Sequence, residues 1–137
     1  MSMFDVFRIS GGAVSAQSQR LNVVASNLAN AETVAGPDGR PYKARQVVFE
    51  SQQVGGAVSP GGVSVRVSTV VEDDTPGKRV HDPAHPLADA QGYVTQSNVN
   101  VVEEMVNMIS ASRSYQNNIE VMNTTRQLLA KTLQLGE

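Results

Sequence analysis

His81 and His85, with Asp82 between them, are the residues of this chain whose types and spacing come nearest to a metal site. Four residues apart on a helix, two imidazoles share a face and can hold a divalent ion. Pro83 and Pro86 forbid that helix, since proline lacks an N–H and its ring collides with the preceding turn. Two loop histidines without a further ligand remain, so neither a metal nor any other cofactor is expected. The paired carboxylates Glu103-Glu104 could in principle exchange protons, but they open an apolar helical pattern, where the positive end of the helix dipole favours acidic side chains. Nucleophile motifs and glycine-rich phosphate loops are missing, and with no cysteine there is neither a disulfide frame nor a thiolate site. The residues therefore point away from an enzyme, with no catalytic set to assign.

What must position so little chemistry is better read from the elements themselves. The 137 residues have room for one modest core, yet aromatic residues make up only 4% and tryptophan is absent, so large core anchors are scarce. A net charge of -2 without any Lys/Arg cluster argues against nucleic acid, which demands a basic face to neutralise phosphates. No run approaches the roughly 20 apolar residues that span a bilayer, so no transmembrane segment is expected. The first residues, Met1 to Arg8, lack a basic region followed by an apolar block, so a cleavable secretory signal is not expected.

The two ends carry long helical patterns. Positions 101, 105, 108, 112, 115, 119, 122, 126, 129 and 133 form a seven-residue repeat in which eight of ten side chains are apolar or aromatic, among them Met105, Met108, Tyr115, Ile119, Met122, Leu129 and Leu133. The same spacing from Met3 collects Phe7, Val14, Leu21, Val24 and Leu28. Two such seams are expected to face one another as a coiled-coil-like hairpin, with Val14, Leu21, Val24 and Leu28 against the second set. Gly11-Gly12 predicts a kink or a late start in the first helix, and Asn30 a left-handed stop. Asn100 followed by Glu103 predicts a capped start of the second helix, with the Glu reaching back to the cap, and Gly136 marks its end.

All six prolines and eight of the eleven glycines fall between residues 36 and 92, which sets a middle region apart. The expected division is residues 1–34 as a first helix, 35–96 as a β-rich middle and 97–137 as a second helix. In the middle, Val63, Val65 and Val67 alternate with polar residues as in a half-buried strand, pairing with Tyr42 to Glu50 in a long antiparallel hairpin across a variable loop, Gln52 to Gly62. Residues 73–92 read as mostly irregular, with a short strand at Tyr93 to Thr95 that could complete a small sheet. The fold class is thus mainly α with a small β insertion.

Such a hairpin buries too little to stand comfortably alone, because the entropy of ordering two long helices exceeds what one seam returns. Its outward residues are unusually short or neutral for a solvated helix, Asn118 among them, with Asn107, Ser110, Ser114, Gln116, Asn117, Asn123 and Thr124. They can hydrogen-bond between packed helices without the desolvation cost of charge, which suits contacts between subunits.

Ser26-Asn27-Leu28-Ala29-Asn30 followed by Thr33, preceded by Gln19-Arg20-Leu21-Asn22-Val23, resembles the N-terminal signature of the bacterial flagellar rod and hook family. Ser97-Asn98-Val99-Asn100-Val101-Val102-Glu103-Glu104-Met105-Val106, continuing through Ser112-Arg113-Ser114-Tyr115-Gln116-Asn117-Asn118, is similar to that family's closing helix. The small middle, with Gly36-Pro37-Asp38-Gly39-Arg40-Pro41-Tyr42 and His85-Pro86-Leu87-Ala88-Asp89, narrows the resemblance to proximal rod members. The resemblance implies a subunit exported unfolded by the flagellar type III export apparatus and assembled in the periplasm into a tubular drive shaft of the basal body. Its implied partners are proximal and distal rod subunits, further copies of itself and the basal-body adaptor at the export gate. The assembly residues expected from pattern and resemblance together are those named on the two seams, with Asn27 and Asn30 locking the exit of the first helix. The rival readings are another proximal rod component, or a cytoplasmic coiled-coil adaptor or secretion chaperone.

Overall fold

A computed structural model of the chain describes residues 1–55 and 62–136. Two long helices enclose two small antiparallel sheets: α1 (Met3–Ala29), β1 (Arg45–Gln53), β2 (Val63–Glu72), β3 (Arg79–His81), β4 (Tyr93–Thr95) and α2 (Val101–Leu135). The expected class, mainly helical with a small β insertion, is what forms.

The helix starts are fixed locally. Ser2 caps α1 by accepting from the Asp5 N–H at 3.2 Å while Asp5 accepts from the Ser2 N–H at 2.8 Å, a reciprocal capping box. Asn100 caps α2 by accepting from the Glu103 N–H at 3.3 Å, as expected. The expected return contact from Glu103 does not form, so the reciprocal box belongs to the other helix. Gly136 follows the last residue of α2.

Gly11-Gly12 does not delay α1, which runs unbroken from Met3. The glycine has a different purpose: β2 crosses the helix there, and a Cβ on Gly12 would overlap Ser64 Oγ and lie 3.1 Å from the Val65 carbonyl oxygen, whereas one on Gly11 would meet nothing. Ser64 is accordingly the buried residue of β2, and its hydroxyl donates to the Ile9 carbonyl at 3.4 Å. Val65 and Val67 are half-buried, and Val63 is exposed. The expected antiparallel hairpin forms, but its first strand is Arg45–Gln53 rather than Tyr42–Glu50, so Gln52 and Gln53, expected in the loop, are paired; Arg45 lies opposite Glu72 and Gln53 opposite Val63, with a register shift between Val48 and Phe49. Most of the expected variable loop, residues 56–61, lies outside the described residues.

Residues 73–92 are mostly irregular, as expected, and β4 is the expected short strand Tyr93–Thr95, but it pairs with β3 in a separate two-stranded sheet, Val80 opposite Val94. The three residues of β3, between Pro76 and Pro83, leave no alternation to detect. One further expectation is corrected. Asn30 ends α1 at φ -106°, so no left-handed residue is used; its side-chain amide donates instead to the Ser26 carbonyl at 2.8 Å, closing the last turn.

The helices run antiparallel. Ser97 Oγ donates to the Ala31 carbonyl at 2.7 Å at one end, and further along Arg20 donates to Asn107 Oδ1 at 3.2 Å. Continued at 1.5 Å per residue in both helices, that register sets Met3 level with about Thr124. The last ten or so residues of α2 therefore run beyond α1, and from Arg126 to Leu135 every side chain but Leu129 is exposed.

Candidate assembly surface

The expected apolar seam forms only in part on α2. Met108, Tyr115, Met122 and Leu129 are half-buried, as expected, with Ile119 and Asn118 beside them. The alternate positions are occupied differently: Glu104, Ala111 and Thr125 are the buried residues of this helix, while Met105 is 54% and Leu133 73% exposed. The intramolecular seam thus steps through 104, 108, 111, 115, 118, 122, 125 and 129, rotated away from the more apolar line. Small side chains explain the shift. Ala111 is fully buried, Ala16 of α1 nearly so, and Ser10 is also buried, so the two backbones approach over small residues. On α1, Val24 and Asn27 are buried and Phe7, Val14, Leu21 and Leu28 half-buried, since that helix packs against the β1–β2 hairpin as well as α2.

Displaced from the seam, the larger apolar side chains face outward. Val102 is 71%, Val106 61% and Ile109 60% exposed, one face at helical spacing, and Met105 lies beside them. Leu133 and Leu135 are exposed separately at the free end of α2. Contiguous exposed apolar side chains of this kind mark a surface that meets another protein. Asn118, expected among the outward residues, lies instead on the seam, and the polar seam residues are tied back to their own helix: Asn118 Nδ2 donates to the Ser114 carbonyl and Thr125 Oγ1 to the Val121 carbonyl, each at 2.8 Å.

What fixes this surface relative to the middle is a pair of Ser-Asn dipeptides, one at the end of α1 and one ahead of α2. Asn27 is fully buried and treats β1 as a neighbouring strand would: its Oδ1 accepts from the Arg45 N–H at 3.0 Å and its Nδ2 donates to the Arg45 carbonyl at 2.8 Å. Tyr42 adds a hydroxyl, donating to Asn27 Oδ1 at 3.0 Å and lying 3.1 Å from Ser26 Oγ. Asn98 accepts from the Ala44 N–H at 2.7 Å and donates to the carbonyls of Asp73 and Thr75, both at 2.9 Å. Ala31, Ala44 and Val99 pack as a small buried cluster between these two hubs, with Tyr42 against it. Asn27 was legible in the sequence as a lock; Asn98 and Ser97 stood in the second motif without an assigned contact, and the repeated Ser-Asn was the available signal.

The loop histidines are otherwise engaged. His81 meets Tyr93 edge to face at 4.9 Å, and His85 Nδ1 accepts from the Leu87 N–H at 3.1 Å. Asp89 organises that turn by accepting from the N–H groups of Gln91 and Tyr93 and from Arg79, each at 2.9 Å. The Tyr93 N–H in particular holds its carboxyl below the usual carboxylate range. No helix among the described residues is long and apolar enough to cross a membrane.

Comparison with known proteins falls on the same two terminal elements. Residues 7–37 match the family described as flagella basal body rod protein, and residues 90–135 match the one described as flagellar basal body rod FlgEFG protein C-terminal. Flagellar basal-body rod protein FlgC of Escherichia coli O157:H7 is 56% identical over 137 residues, covering all of both chains. FlgC of Salmonella typhimurium is 55% identical over the same 137 residues, and that of Buchnera aphidicola from Acyrthosiphon pisum 44% over 144, again with both chains covered in full. Paired terminal helices, Ser-Asn hubs at their junction and full-length identity of 44–56% to such relatives agree, and the chain belongs to the flagellar basal-body rod protein family.

Proposed function

We propose that this chain is a structural subunit of the rod of the bacterial flagellar basal body, in its proximal part, and that its work is mechanical. The single observation that carries this reading is the outward apolar face of α2, Val102, Met105, Val106 and Ile109, with Leu133 and Leu135 exposed separately at its free end, on a helix that outruns its own partner. A monomeric protein hides such a face. Copies of this chain and other rod proteins would cover it, joining long helices over many small side chains. Such dense contacts resist shear, as a shaft under torque requires. The seam residues expected from sequence then divide into two sets, Met108, Tyr115, Met122 and Leu129 holding the chain's own hairpin and Met105 and Leu133 reaching neighbours. Export by the flagellar type III apparatus and a periplasmic site complete the reading.

Purified basal bodies supply the test. The chain should co-purify with them, and a deletion strain should lack the rod and swim only when the intact gene is restored. Basal bodies complete and rotating without it would overturn the assignment.

A further inference from the structure

Glu104 is 7% exposed, and its Oε2 is buried without a hydrogen-bond partner. A buried carboxylate is costly unless a cation or several donors meet it. The helix dipole alone leaves that atom unbonded, so Glu104 awaits a donor.

Its surroundings define the donor. Glu104 lines a cleft of about 390 Å³ between α1, β1 and α2, with Val23, Val24, Val47 and Phe49 among the walls and Glu103 and Asn107 beside it. Two arginines also line the cleft, and both are committed elsewhere. Arg20 donates to Asn107 Oδ1 at 3.2 Å, and Arg45 pairs with Glu72 at 3.5 Å. Neither forms an ion pair with Glu104. With Arg45 neutralised by Glu72, the two glutamates outweigh Arg20, and the cleft keeps a surplus of negative charge. Apolar side chains of Val23, Val24, Val47 and Phe49 beside an unbonded carboxylate oxygen suit a long aliphatic stem ending in a cation.

Resting on the rod-subunit reading above, we propose that this cleft is a socket for a lysine or arginine side chain of an adjoining rod subunit, whose charged end bonds to Glu104. The carboxylate is then an assembly contact kept open in the separate chain and satisfied only in the rod. The chain itself carries suitable cations on α2, since Arg113, Arg126 and Lys131 form no ion pair among the described residues. A relative's basic residue would serve equally.

The test is Glu104→Gln in the full-length chain, which keeps shape and removes charge. In the purified, unassembled protein its melting temperature should equal or exceed that of the parent, because no ion pair is lost. In cells, rod assembly should fall by about tenfold or more, the worth of one charge-assisted contact. Glu104→Lys should block assembly, and suppressors should exchange a lysine or arginine for an acid on a rod subunit. A destabilised Glu104→Gln monomer, full assembly by that variant, or suppression by Arg20→Glu within the same chain would each overturn the proposal. Failure of the rod reading looks different, since the unaltered chain would then be missing from basal bodies altogether.

Discussion

Asn27 on α1 grips both backbone groups of Arg45, accepting from its N–H at 3.0 Å and donating to its carbonyl at 2.8 Å, so that a helix side chain stands where a neighbouring strand would be. A planar amide of that length can do this; a carboxylate lacks the donor and a hydroxyl lacks one of the two atoms. Asn27→Ala should therefore leave Arg45 with two unmet groups and cost about 2 to 4 kcal/mol. Asn27→Asp should cost at least as much, because it places a fully buried charge opposite a carbonyl. Urea unfolding of the purified chain checks both, and loss of less than about 0.5 kcal/mol in either would show that the latch contributes nothing.

Neighbouring glycines of α1 should respond in opposite directions. Gly12→Ala drives a methyl into Ser64 and the Val65 carbonyl where β2 crosses, which should cost about 1 to 3 kcal/mol. Gly11→Ala meets open space within a helix and should stabilise by roughly 0.5 to 1 kcal/mol. Thermal melts of the pair give the comparison, and two equal shifts would mean that β2 does not pass over Gly12.

That pair also marks the limit of what the sequence could say. The two long helices, the Asn100 cap and the β1–β2 hairpin followed from local rules, since capping, alternation and breakers act within a few residues. Gly12 was read as a weakness of its own helix because its reason lies in Ser64, far along the chain. The seam failed in the same way. Counting apolar residues put Met105 and Leu133 inside, but they are 54% and 73% exposed, and the chain closes its own hairpin over the small residues Ala111 and Thr125, which an apolar count passes over. Glu104 was hidden by its position in a helical first turn, where acid has an ordinary explanation.

Substitution at the two kinds of helix position should separate folding from assembly. Ala111 is wholly buried between the helices, so Ala111→Leu should overpack the hairpin and lower stability by about 1 to 3 kcal/mol. Leu133 is 73% exposed at the free end of α2, so Leu133→Ala should leave the monomer within about 0.5 kcal/mol of the parent. Rod assembly, scored by motility and by basal-body yield, should nonetheless suffer with Leu133→Ala. Normal assembly with that variant would remove Leu133 from the interface.

Gln17 offers a further contrast with Glu104, because its Oε1 is also buried without a partner. An amide is neutral, so replacing it by an apolar side chain of similar length removes an unmet acceptor without discarding a charge that a neighbour could use. Gln17→Met should raise the stability of the separate chain by about 1 kcal/mol. A melt showing loss instead would mean that the amide is bonded in solution.

Acid should loosen the turn that joins β3 to β4. Asp5, Asp73 and Asp89 all lie below the ordinary carboxyl value of 3.8, through hydrogen bonds from Ser2, Thr75 and the Tyr93 N–H respectively. A carboxyl depressed by folding contributes stability that is present above its unfolded value and disappears as pH falls through its lower folded value. The fold should accordingly be indifferent to these groups from neutrality down to about pH 5, then loosen as the pH drops below 3.8. Because Asp89 gathers Gln91, Tyr93 and Arg79 in one turn, amide exchange at Gln91 and Tyr93 should accelerate in that window. Asp89→Asn retains one acceptor oxygen but sheds the charge that Arg79 meets, so it should flatten this acid response while leaving the helices intact. An acid response unchanged in Asp89→Asn would assign it to the other two carboxylates.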